Sequence, residues 1–412
     1  MRGVNAVFER RLRTCAPAPL AVAFSGGGDS LALLLLTLDW ARAHGRTVTA
    51  LTVDHGLNPD SAAWTRRCGD TAERLGVPFH SLRWEGAKPT TGLPAAARAA
   101  RHALLADAAR KAGARVILLG HTDDDRLEAA AMRAEGSTVS DPAEWAPSPA
   151  WPQGRGVFLL RPMLDARRTE IRDWLQARGE TWIDDPANED LRFARARARI
   201  HQSSPAPPGR GTMRSMVEGS RRTDSPPPPS GRSPSPASWG GLTLSASAPA
   251  AHIAAACLCA GGTSRPPRGD RLQHLVARLG SGEPFTATLA GARIASDGET
   301  AVFTRDPGRA GLPELSVAPG QPIVWDGRFE IEATVPGTVR ALGGLSRQLP
   351  RDQQVALRAA PAALRPTLPV ILSRDGAVTC PILADHPSVR ATALVLPRFE
   401  AAIGLVDVEP AV

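Results

Sequence analysis

The amino-acid sequence predicts an α/β fold over residues 1–200, a doubly wound parallel sheet, then a disordered linker over 201–241 and a smaller α+β region over 242–412. Three observations carry this expectation. Short apolar runs alternate with longer helical patterns through the first half, as a parallel sheet with helices on both faces requires. A stretch of proline, serine, glycine and arginine then interrupts the chain. Beyond about Leu242 strand-like alternation returns, punctuated by DG turns.

The elements follow in order. Leu20 to Phe24 is short, apolar and bounded by glycine, which suits a buried strand, whereas Leu31 to Leu38 is leucine-rich and suits a buried helix. Between them lie Ser25, Gly26, Gly27, Gly28, Asp29 and Ser30. Glycines let a backbone approach a ligand closely, and successive N–H groups at a helix N-terminus form an anion nest, so this turn is built for phosphate. The nucleotide loop GxxxxGK[ST] needs a lysine that is absent here, which argues against a kinase or GTPase. The plainer alternative is a capping turn, with Asp29 or Ser30 satisfying backbone donors.

Next, "TVTALTVDHG" reads as a strand, "SAAWTRRCGDTAERLG" as a helix, "PFHSLRW" as a strand and "PAAARAARHALLADAARKAG" as a helix. "RVILLGHT" and "DDDRLEAAAMRAEG" complete a further strand and helix. Ligands of such sheets sit at the carboxyl ends of the strands, which singles out Ser25 to Ser30, Asp54 with His55, and His121 through Asp125. Asp54 and His55 suit a pocket wall or a simple turn. Three aspartates at a helix start are also what the helix dipole favours.

The chain has 412 residues, 42% hydrophobic, enough for two or three domains and a large core. No stretch is long enough to span a bilayer, and the N-terminal segment carries charges where a signal peptide is apolar, so a cytoplasmic protein without membrane contact is expected. Five scattered cysteines form no CxxC set, and Cys257 and Cys259 are expected to be buried rather than ligands. A net charge of +8 suggests a polyanionic partner, although the arginine excess and the absence of tyrosine also fit a GC-rich genome. Arginine does cluster, from Arg192 to Arg199.

Residues 201–241 lack periodic apolar residues and cannot bury a core; a run of four prolines within them favours an extended backbone. A basic tether and a locally frameshifted gene segment both fit them. Beyond, "AHIAAACLCAGG" and "DRLQHLVARLG" suggest helices, while "TATLAGARIASDGETAVFTR" and "QPIVWDGRFEIEATVPG" alternate as strands.

The pattern SGGxDS resembles the PP-loop of N-type ATP pyrophosphatases, and five further segments resemble, in order, the tRNA(Ile)-lysidine synthetases. These are "VDHGL" from Val53, "ARAARH" from Ala97, "GHTDDDRLEA" from Gly120, "RPMLDARRTEI" from Arg161 and "DDPANEDLRFARARAR" from Asp184. Asn58, His102, Arg126, Ala129 and Ala196 depart from the family's pattern, standing where arginine, tyrosine, glutamine, threonine and asparagine are usual.

The resemblance implies an adenine nucleotide alpha hydrolase-like domain and ATP-dependent ligation of free L-lysine to the wobble cytidine of a CAU-anticodon tRNA(Ile). The cytidine is adenylated first, and lysine then displaces AMP to leave lysidine. ATP would be held by Ser25 to Ser30 and Mg²⁺ by Asp29. Arg101, His121 and Asp125 would form the reactive centre, with Asp124 and Glu128 helping Asp125 to attract and deprotonate the lysine amine. Arg161, Arg168, Arg195, Arg197 and Arg199 are expected to contact tRNA phosphates, although a salt-bridged helix face also fits the last three. A homodimer is compatible with this. Two other classes remain open: another PP-loop tRNA-modifying enzyme, against which stands the missing CxxC pair of the thiolases, and a non-catalytic tRNA-binding relic.

Overall fold

The computed structural model describes residues 2–136, 141–184, 236–267 and 269–411. The expected linker therefore lies outside the described residues except for 236–241, as do Arg195, Arg197 and Arg199. In the first half, α1 (Arg2–Arg11), β1 (Leu20–Ala23), α2 (Gly28–Ala43), β2 (Val48–Asp54), α3 (Ser61–Leu75), β3 (Phe79–Arg83), α4 (Leu93–Lys111), β4 (Val116–Leu118) and α5 (Asp123–Ala134) follow one another. From β1 to α5 they match the expected alternation, whereas α1 was not expected. Two short strands, β5 (Trp145–Pro147) and β6 (Phe158–Leu160), and α6 (Arg168–Ala177) complete this half.

The strands order as β3-β2-β1-β4-β6-β5, all parallel but for the edge strand β5. Strand β1 is buried on both faces, as a central parallel strand must be. Leu20 and Val22 join the core beneath α1, α2, α3 and α6, whereas Ala21 turns to the face covered by the alanine-rich α4. Helix α2 is buried on every side from Leu31 to Leu38, all apolar but Thr37, because that stretch is enclosed by the sheet and neighbouring helices. The order reverses between β1 and β4. Their carboxyl ends therefore open a crevice at which the two expected loops meet.

The described residues resume at Pro236. Pro236–Trp239 form a 3-10 turn, and Trp239 is packed into the second core. After it come β7 (Leu242–Ser245), α7 (Ala250–Ala260), α8 (Gly269–Gly280), β8 (Phe285–Leu289), β9 (Ala292–Ser296) and β10 (Thr300–Arg305). These form an antiparallel sheet, β7-β10-β9-β8, with helices packed on it, and Cys257 and Cys259 are fully buried there. Further small antiparallel sheets follow, and the expected DG turns at Asp297 and Asp326 do link successive strands.

The two halves are tied by the C-terminal segment. Glu409 is fully buried and bridges Arg46 at 2.8 Å, while the backbone N–H of Arg13 donates to its carboxylate at 2.9 Å. Arg46 also donates to the carbonyl of Ala18 at 2.6 Å, so the buried pair is supported by further hydrogen bonds, with Arg46 Nε left without one. Among the described residues no helix is long and apolar enough to cross a membrane.

Candidate active site

The turn between β1 and α2 is shaped by its own hydroxyls. Ser25 donates through its N–H and its hydroxyl to Ser30 Oγ, both at 3.2 Å, and Ser30 Oγ donates to the carbonyl of Gly27 at 2.9 Å. Ser30 is thereby buried and spent on the loop, whereas Ser25 stays exposed. Gly26 has φ +81° and accepts from Ile183 N–H at 2.9 Å, and a Cβ there would collide with Ile183 at 2.6 Å. Only glycine meets both demands. Gly120, at the end of β4, lies so close to α2 that a Cβ would stand 3.1 Å from the Asp29 backbone. This contact draws the two strand ends together.

Asp29 does not cap its helix. Among the described residues the α2 N-terminus has no side-chain cap, and Asp29 instead accepts from Arg168 Nε at 3.1 Å. The same guanidinium reaches Glu128 at 3.3 Å and Asp125 at 3.7 Å, and the Arg168 N–H donates to Asp124 at 2.8 Å. Arg168, expected to meet tRNA, thus sits at the centre of the carboxylates. Burial pushes the Asp29 carboxyl up despite that arginine, and the surrounding carboxylates raise Arg168 against the effect of its own burial.

The three aspartates of α5 divide their work. Asp123 pairs with Arg167 at 3.2 Å, and Asp124 caps α6. Asp125 accepts from Thr122 N–H at 2.9 Å, so it also serves its own helix start. Burial works to raise the Asp125 carboxyl, yet the Thr122 N–H and Arg168 hold it below the ordinary carboxylate range. Arg126, one departure from the expected pattern, pairs with Asp165 on the exposed side.

Across the crevice the groups are imidazoles and guanidiniums. His121 Nδ1 accepts from Arg161 Nε at 3.1 Å, and Arg161 Nη1 donates to the carbonyl of Ala143 at 2.7 Å. Arg161, also expected to meet tRNA, is only 6% exposed. Burial, reinforced by Arg161, Arg101 and Arg98, pushes His121 down to about 3, so its ring is neutral. Burial with Arg101 and Arg98 does the same to His102, also down to about 3. His55 is pulled down by burial and by Arg101, and it meets the Trp84 edge at 6.1 Å. Asp54 accepts from Gly56 N–H at 2.8 Å, which is the turn alternative.

The structure therefore gathers Ser25 to Ser30, Asp29, His121, Asp125, Arg161 and Arg168 at one crevice, with Arg101 beside His121 and His55. Sequence reasoning missed Trp182, whose indole lies beside Gly28, and Ile183, which ties to Gly26. An aromatic-aliphatic pair just before the "DDP" motif is the signal that pointed there. Phosphate donors and a carboxylate cluster side by side suit a reaction that handles an anionic nucleotide and a cation together.

Comparison with known proteins agrees. Residues 4–203 match the family model described as a PP-loop domain. The chain is 52% identical to a tRNA(Ile)-lysidine synthase of Caulobacter vibrioides over 98% of either chain. It is 34% identical to that of Rhizobium meliloti over 80% of this chain and 77% of the relative. It is 43% identical to that of Hyphomonas neptunium over 48% and 53%. The likeness to the Caulobacter protein thus extends beyond the nucleotide loop through the second half. The chain belongs to the tRNA(Ile)-lysidine synthase family and is an ATP-using, PP-loop enzyme.

Proposed function

We propose that this enzyme joins free L-lysine to the wobble cytidine of CAU-anticodon tRNA(Ile), through an adenylated cytidine, in the cytoplasm. One observation supports it most: an anion-binding glycine loop adjoins carboxylates that already hold a cationic side chain, Arg168. The loop's N–H groups and Ser25 hold the ATP phosphates. Arg101 pairs with phosphate, and neutral His121 donates a hydrogen bond toward the α-phosphate as the cytosine carbonyl oxygen displaces pyrophosphate.

Mg²⁺ fits this donor set in a limited way. Among the described residues no group of three or more His, Cys, Asp or Glu side chains forms a metal cage. Such a cation commonly takes one or two carboxylates plus substrate phosphates, and Asp29, whose buried charge is costly, suits one of those places. When bound it would neutralise charge on the pyrophosphate.

Lysine's amine has an ordinary pKa of ~10.4, leaving about one molecule in a thousand neutral near pH 7. A carboxyl held as low as that of Asp125 is a weak base, so Asp125 with Glu128 acts chiefly as the electrostatic anchor of the incoming ammonium. Arg195, Arg197 and Arg199 are assigned to the tRNA backbone. Labelled lysine supplied with ATP, Mg²⁺ and a CAU-anticodon tRNA(Ile) transcript tests this proposal. Incorporation that disappears in Asp29→Ala and Asp125→Ala is expected. AMP formation without incorporation would move the enzyme to another PP-loop modification, and absence of AMP with every tRNA would remove the catalytic assignment.

A further inference from the structure

His121 follows β4, and Arg161 follows the neighbouring parallel strand β6, so the sheet sets the two side chains next to each other. The 3.1 Å contact has a definite polarity. A guanidinium nitrogen donates and never accepts, so the His121 Nδ1 facing Arg161 Nε must present its lone pair. The proton of the neutral ring is then on Nε2. Arg161 cannot easily turn away, because its Nη1 is held by the Ala143 carbonyl at 2.7 Å and the residue is buried.

We propose that Arg161 is a positioning residue that fixes His121 as the neutral tautomer protonated on Nε2, so that the ring always offers the site a donor and never a lone pair. This rests on the assignment of His121 as a donor toward the α-phosphate. The charged and titratable groups facing the ring come from three elements: Arg161 after β6, Arg98, Arg101 and His102 on α4, and Asp125 on α5. Three cations against one carboxylate, with burial, keep the ring neutral across the working pH range. A phosphate oxygen facing a Nε2 lone pair would be repelled, which is the failure Arg161 prevents. The arginine is thereby spent inside the site and is not a contact to the tRNA backbone.

The test separates tautomer from function. Nitrogen-15 spectra of enzyme labelled at histidine, assigned with His121→Gln, should show His121 protonated on Nε2 from pH 6 to 8. In Arg161→Met the ring should move toward the other tautomer, while burial with Arg98 and Arg101 keeps it neutral. Lysine incorporation by that variant should fall on the order of 10–100-fold at pH 8. Arg161→Lys, which keeps an N–H donor, should restore most of the activity and the native spectrum. A native ring protonated on Nδ1 overturns the proposal, as does an Arg161→Met loss with an unchanged His121 spectrum. If the tautomer shifts as expected while incorporation does not change, Arg161 positions the ring and the assignment of His121 as the phosphate's donor fails instead.

Discussion

The two sides of the crevice solve opposite electrostatic problems. On one side Arg98, Arg101 and Arg161 converge on His102 and His121, and the histidines respond by staying neutral. On the other, Asp29, Asp125 and Glu128 share the cation of Arg168, with Arg172 also acting on Asp29, so each has positive charge nearby. Histidine can shed its proton at low cost near neutral pH, so crowding by arginine is relieved by titration. Carboxylates three to four ångströms from one guanidinium are relieved by pairing. The first side is ready for an anion as it stands. The second already holds a cation, which an incoming ammonium or metal ion must share or displace.

The largest effect that would break this contrast concerns Arg168. Arg168→Met should destabilise the fold by about 3 kcal/mol, measured by urea unfolding, because three carboxylates lose a shared partner that is largely buried. A change below about 0.5 kcal/mol, the size of an ordinary surface substitution, would mean that the cluster is neutralised by other means. Next in size, the two sides should separate kinetically. Glu128→Gln should raise the KM for lysine on the order of tenfold with little change in the KM for ATP, and Arg101→Met should do the reverse. Parallel changes in both constants would show that the sides act as one unit.

A smaller effect is expected from acid. A buried His102 ring titrating near 3, against 6.5 when unfolded, binds fewer protons folded than unfolded between those values. Stability is therefore lost as the pH falls from 6.5 toward 3, by about 1.4 kcal/mol per unit for this ring. His102→Gln should flatten the acid limb of a plot of unfolding midpoint against pH. An unchanged limb would place the titration elsewhere. Smallest of all, Arg126→Gln should leave lysine incorporation unchanged and stability within about 0.5 kcal/mol, since its ion pair with Asp165 is exposed.

Much of the first half was legible because each signal was local. A glycine turn between an apolar strand and an apolar helix needs no distant partner to be recognised, and the observed strands and helices follow the expected order as far as α5. Strands β5 and β6 were not legible, since three residues carry no period and their pairing is decided by which edge of the sheet is free. The 3-10 turn at Pro236–Trp239 was not legible for a related reason. Trp239 lies in a proline- and glycine-rich context, and its burial depends on strands and helices far along the chain.

By itself the sequence determined the strand–loop–helix architecture and the strand ends at which Ser25 to Ser30, His121 and Asp125 come to one crevice. Only the tertiary structure decided what the arginines do. Arg161 meets His121 across 40 residues and Arg168 meets Asp29 across 139, and a guanidinium reads the same in a sequence whether it will face phosphate, imidazole or carboxylate. Charge is a property of the residue. Its partner is a property of the sheet order, which sets β4 beside both β1 and β6 and so gives each buried charge the neighbour that fixes its protonation and its role.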